Sequence, residues 1–114
     1  MNLYGIKNCP SVKKAMAFLN ENGIEYKFND INNNQISKEK IEYWLGFTDA
    51  KSLFNPRSKA YRDLKLKGSN LNDKVHHLWE NNALIKRPVI EHGLNGEHKL
   101  HVGFNEDDYK QVFL

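Results

Sequence analysis

Between Asn2 and Phe28 the chain reads strand, helix, strand, and so short a unit leaves few folds open. Asn2-Leu3-Tyr4-Gly5-Ile6 carries aromatic and branched side chains in one brief run, which predicts a strand. Pro10 suits the first turn of a helix, where its missing N–H is no loss. Val12, Ala15, Met16, Phe18 and Leu19 then recur mostly three and four apart, marking one helical face. Gly23, after Glu21-Asn22, predicts a left-handed C-terminal cap. Ile24-Glu25-Tyr26-Lys27-Phe28 alternates apolar and polar, which predicts a second strand. One helix between two strands favours a parallel pair joined by a right-handed crossover.

The middle third carries helical signals and no strong strand. Asn32-Asn33-Asn34 reads as a turn, and Ser37 as the N-cap of a helix holding Ile41, Trp44 and Leu45. A short helix is predicted around Ala50–Phe54, followed by Asn55-Pro56 and a stretch with Tyr61 and Leu64. Asn72 is the predicted cap of a helix with Val75, Leu78 and Trp79. Strand character returns at Pro88-Val89-Ile90, and Gly93 with Asn95-Gly96 predicts a hairpin to Lys99–Val102. Asn105 caps a predicted last helix whose first turn holds Glu106, Asp107 and Asp108, favourable to the helix dipole. The order is βαβ, helices, ββα. That order predicts an α/β fold with a mixed sheet of about four strands and a helical insertion.

The chain is 114 residues long, a length that favours one compact domain. It is 39% hydrophobic, so the core must be economically patterned. Its 17 Lys+Arg stand against 14 Asp+Glu, and the two signs are interleaved. Nucleic-acid binders show a basic stripe instead, so direct nucleic-acid contact is not expected. No apolar run is long enough to span a bilayer, and the first residues lack the basic and apolar blocks of a signal peptide. A cytoplasmic location is the resulting expectation. Only three basic residues are arginine (Arg57, Arg62, Arg87), the side chain with a planar fork for oxyanions. The glycines form neither GxGxxG nor a Walker motif, which argues against a nucleotide cofactor. The five histidines show no spacing that guarantees three or four convergent ligands, so no metal site is expected.

The single cysteine excludes an internal disulfide framework and a CxxC zinc site. Cys9 falls between the first strand and the first helix, where unpaired N–H groups and the positive end of the helix dipole favour the thiolate. Lys7, Lys13 and Lys14 add positive charge nearby. The thiolate is the nucleophile, so this placement predicts reactivity. A free cysteine is elsewhere usually a small buried hydrophobe, and that remains the alternative.

Tyr4 through Ala15 (YGIKNCPSVKKA), with Ile85-Lys86-Arg87-Pro88-Val89-Ile90, Val102-Gly103-Phe104 and Ser52 through Ser58 (SLFNPRS), resembles the ArsC/Spx family. That family joins glutaredoxin-linked arsenate reductases, Spx transcriptional regulators and small relatives related to glutathione-dependent thiol reductases, which this chain resembles most. The resemblance covers nearly the whole chain. It implies a thioredoxin-like fold in a single domain over 1–114, with 1–34 and 85–114 forming the sheet portion and 35–84 the helical insertion.

The resemblance also implies roles. Cys9 corresponds to the family's nucleophile, and Arg87 to an anion-holding catalytic arginine. Pro88 corresponds to the cis-proline that faces the reactive thiol. Arg57 lies near another of the family's anion-binding arginines, in a register more like that of the Spx-type and small members, and Asn8 and Ser11 fall around the substrate anion. Two positions depart from the pattern. Val12 stands where Spx regulators commonly carry the second cysteine of a Cys-x-x-Cys switch, and a third arginine of the reductases would fall at about Val102.

Thiol–disulfide exchange needs a second thiol to resolve the mixed disulfide, and this chain has none. Glutathione, as co-substrate, or a glutaredoxin would supply it, with no tightly bound cofactor. The substrate would be a mixed disulfide or a small oxyanion such as arsenate. The alternative is an Spx-like protein without catalysis that binds the C-terminal domain of the RNA polymerase α subunit.

Overall fold

The computed structural model describes residues 1–66, 73–94 and 96–114. Its elements are β1 (Asn2–Gly5), α1 (Pro10–Glu21), β2 (Lys27–Asp30), α2 (Lys38–Leu45), α3 (Ala50–Leu53) and α4 (Lys59–Leu66). They continue with α5 (Lys74–Glu80), a 3₁₀ turn (Asn82–Leu84), β3 (Val89–His92), β4 (Lys99–Val102) and α6 (Glu106–Phe113). Two compact units result, Met1–Asn32 with Arg87–Leu114, and Asn33–Lys86.

The first unit contains the sheet, in the order β2-β1-β3-β4. β1 and β2 are parallel, with Leu3 beside Phe28, as the short helical crossover predicts. β3 runs antiparallel to both β1 (Leu3 beside Ile90) and β4 (Val89 beside Val102). This α/β arrangement with a mixed four-stranded sheet is thioredoxin-like. Leu3 and Ile90 share a buried cluster with Val12, Ala15, Phe18 and Leu19 of α1 and Tyr109 of α6. The three-and-four spacing along α1 is thus the stripe that meets the sheet.

Pro10 opens α1 after Cys9 at the N-cap. The helix closes in a Schellman motif: Ile24 N–H donates to Leu19 O at 2.9 Å and Gly23 N–H to Asn20 O at 3.2 Å, with Gly23 at φ 67°. That motif corrects the expected bounds of the second strand. Ile24 is still engaged in ending the helix, so pairing starts only where Lys27 N–H reaches Met1 O at 2.9 Å. The strand therefore runs Lys27–Asp30 rather than Ile24–Phe28.

In the second unit Ser37 caps α2 as expected, its Oγ accepting from Lys40 N–H at 3.1 Å, and Ile41 and Trp44 are buried. Asp49 caps α3 in the same way through Ser52 N–H at 2.7 Å. The stretch with Tyr61 and Leu64 is a helix in its own right, α4, preceded by Ser58 Oγ accepting from Tyr61 N–H at 3.1 Å. The cap of α5 is Asp73, which accepts from His76 N–H at 3.1 Å. Asn72, the expected cap, lies outside the described residues, as does Asn95 of the expected hairpin turn. Asn105 caps α6 as expected, accepting from Asp108 N–H at 3.1 Å. Among the described residues no helix is long and apolar enough to cross a membrane.

Candidate functional site

The sheet topology decides which loops meet. Tyr4 of β1 lies beside Val89 of β3, and the two strands are antiparallel. The chain therefore leaves β1 toward Cys9 at the same end of the sheet where Arg87 and Pro88 lead into β3. Val89 in turn pairs with Val102, so Gly103 follows β4 at this end too. Three segments distant in sequence converge on one sheet end.

Cys9 is a free, half-buried thiol at the N-cap of α1, packed against the core cluster. Its N–H donates to Ile6 O at 3.2 Å, and its carbonyl accepts from Lys13 N–H at 3.0 Å. Pro10 has no N–H, so the first turn is left with the N–H groups of Ser11 and Val12 for a partner beyond the helix. The Cys9 side chain does not cap them. Lys7, Lys13 and Lys14 are exposed around this turn, and the turn itself holds no acidic side chain. Asn8 is exposed on the Cys9 loop and Ser11 is half-buried in the turn.

The Arg87–Pro88 bond is cis. Pro88 is buried and Arg87 half-buried, and the Arg87 Nε is shielded without a hydrogen-bond partner. Because a buried donor of this kind is costly to leave unpaired, the guanidinium is suited to an anion. The Pro88 carbonyl accepts from Gly103 N–H at 2.8 Å, and the Gly103 carbonyl accepts from the Tyr109 hydroxyl at 2.7 Å. Apolar spacing along α6 accounts for the Tyr109 ring, but no periodicity could reveal that its hydroxyl reaches back to Gly103.

The topology thus brings Cys9, Asn8, Ser11, Arg87 and Pro88 to one end of the sheet. Arg57 belongs to the other unit, exposed, with its N–H donating to Asn55 Oδ1 at 3.1 Å. Val12, in the place of a second cysteine, is fully buried against Gly5, and Val102 ends β4 opposite Val89.

Other groups stand apart from this arrangement. His92 and His101 pack on α6, with ring centroids 5.0 Å from Phe113 and 5.1 Å from Tyr109 respectively. His76 pairs with Glu80 at 2.8 Å on α5. Among the described residues no three His, Cys, Asp or Glu side chains are grouped to hold a metal ion. A shallow depression of about 730 Å³ lies at the far end of α1 from Cys9, lined by Asn20, Gly23, Ile24, Glu25, Tyr26 and Phe28.

A thioredoxin-like sheet with one cysteine at its first βα junction and a cis-proline entering β3 defines a class of protein. The chain belongs to the ArsC family, whose pattern matches residues 4–112. It is 34% identical to an uncharacterized protein of Haemophilus influenzae, over 99% of this chain and 98% of that protein. It is 30% identical to the global transcriptional regulator Spx of Enterococcus faecalis, over 97% of this chain and 84% of the regulator. Among solved structures, an arsenate reductase related protein from Brucella melitensis superposes with a TM-score of 0.73 at 29% identity, covering 98% and 92% of the two chains. Family and fold together support a reductase-like activity.

Proposed function

We propose that this protein is a cytoplasmic monothiol oxidoreductase in which Cys9 is the nucleophile and an external thiol, glutathione or a glutaredoxin, completes the cycle. The observation that carries the reading is the position of the only cysteine at the N-cap of α1, at the sheet end that also receives Arg87 and Pro88. With a glutathionylated substrate, the Cys9 thiolate attacks the glutathione sulfur. A Cys9–glutathione disulfide forms, the substrate sulfur–sulfur bond breaks, and the departing substrate thiolate takes up a proton. A second glutathione thiolate then attacks that disulfide, releasing the Cys9 thiolate and oxidised glutathione. Net, one free glutathione is oxidised for each substrate thiol released, and its thiol proton balances the one the substrate thiolate takes up.

Arg87 holds a carboxylate or oxyanion of the incoming substrate, and the Ser11 and Val12 N–H groups face the same negative charge. Asn8 and Pro88 line the approach. Arg57, which the resemblance associates with the anion, belongs to the other unit and has no part in this reading. A small oxyanion such as arsenate is a second substrate class, for which Val102 in place of a third arginine predicts weaker binding.

A second reading follows from the similarity to Spx regulators: a protein that binds the C-terminal domain of the RNA polymerase α subunit without catalysis. Val12 removes the internal disulfide switch but no docking surface. One experiment separates the two. Glutathione-coupled turnover of a mixed disulfide and of arsenate is measured for the wild type and Cys9→Ser. The reductase reading predicts loss of activity to background in the variant, on the order of a hundredfold or more. Equal turnover in both proteins overturns it and leaves the polymerase-binding reading.

A further inference from the structure

The Tyr109 ring is fully buried and has no need of a hydroxyl to be so. Its centroid lies 4.8 Å from that of Phe104, 5.1 Å from Phe113 and His101, and 5.6 Å from Phe18, contacts that a phenylalanine would keep. A buried hydroxyl must find a partner, and this one donates to Gly103 O at 2.7 Å. Gly103 sits at φ 85°, backbone that L residues rarely adopt, and its N–H donates to Pro88 O at 2.8 Å. Tyr109 and Pro88 therefore grip the two peptide planes on either side of the Gly103 Cα. Burial pushes the phenol's acidity well below that of an ordinary tyrosine, so it stays a donor throughout the working pH range.

We infer that Tyr109 is a positioning residue: through Gly103 its hydroxyl fixes the Pro88 carbonyl, and with it the Arg87–Pro88 segment, at the sheet end that holds Cys9. The inference rests on the reading of Cys9, Arg87 and Pro88 as the reactive site. Arg87 precedes Pro88 directly, and its shielded Nε has no hydrogen bond to anchor it. The backbone at Pro88 thus sets where the guanidinium starts. Without the hydroxyl, the left-handed turn at Gly103 is held from one side only. Misplacement of a substrate-binding group by about 1 Å is enough to lower turnover strongly.

The test is Tyr109→Phe, assayed with the mixed disulfide of glutathione and 2-hydroxyethanethiol. The variant is expected to keep its fold, to exchange the Gly103 amide proton about tenfold faster, and to lose about tenfold in kcat/KM. In an Arg87→Ala background, the same substitution is expected to add almost no further loss, which a purely structural role would not produce. Phe113→Leu, which disturbs the same aromatic cluster but not the hydroxyl, serves as the stability-matched control and should retain kcat/KM. Wild-type kcat/KM in Tyr109→Phe, a loss no larger than in Phe113→Leu, or full additivity with Arg87→Ala overturns the inference. Those outcomes are distinct from failure of the reactive-site reading, which shows as wild-type turnover in Cys9→Ser.

Discussion

At the level of single residues, the proposed chemistry is set by what Cys9 lacks as much as by what surrounds it. The position that would supply a resolving thiol is Val12, whose side chain is sealed in the core, so no internal disulfide can form. His92 shows how a side chain away from the site bears on stability. Partial burial lowers its proton affinity first, and repulsion from His101, Lys99 and the chain's N-terminus lowers it further. A histidine whose folded pKa is depressed binds fewer protons in the folded chain than in the unfolded one. It therefore contributes stability above its ordinary unfolded pKa of about 6.5, and that contribution is lost as pH falls through the lower folded value. Denaturant midpoints measured from about pH 8 to about pH 5 should fall more steeply for the wild type than for His92→Gln. Parallel profiles would show that His92 stays as solvated in the folded chain as in the unfolded one.

Among the elements, α1 is the one on which the proposed site depends, and its seat on β1 is tight. A Cβ at Gly5 would lie 2.7 Å from Val12 Cγ2 and 3.2 Å from Cγ1, and a β-branched valine in a filled core has little room to turn away. Gly5→Ala should cost about 1–3 kcal/mol of stability by chemical denaturation, and should lower turnover by shifting the helix start that carries Cys9. An unchanged midpoint would mean that α1 yields freely. The start of α1 was legible beforehand because Pro10 and the Val12–Leu19 stripe are local signals. So were the caps Ser37 and Asn105, each a short polar side chain just ahead of an apolar period. The start of β2 was not. Alternation in Ile24–Phe28 is a true strand pattern, but the hydrogen bonds that end α1 take up its first residues. A strand begins where its partner's backbone is free, and that partner is Met1, far off in sequence.

For the molecule as a whole, the site is a property of topology. Antiparallel pairing of β1 with β3 and of β3 with β4 turns Cys9, Arg87–Pro88 and Gly103 toward one sheet end. Residue patterns indicated the cysteine, and the resemblance to a family whose membership the ArsC match bears out added the Arg-Pro pair. They gave no sign of the Tyr109–Gly103–Pro88 chain of hydrogen bonds, because no local pattern encodes a contact made through backbone carbonyls. Two compact units are present, and the proposed thiol exchange draws its nucleophile, arginine and proline from the one that contains the sheet. The most direct test is to quench glutathione-coupled turnover with acid and weigh the intact protein. A single glutathione should be found on Cys9, removed by added glutathione and absent from Cys9→Ser. Steady turnover with no glutathione ever carried on Cys9 would contradict it.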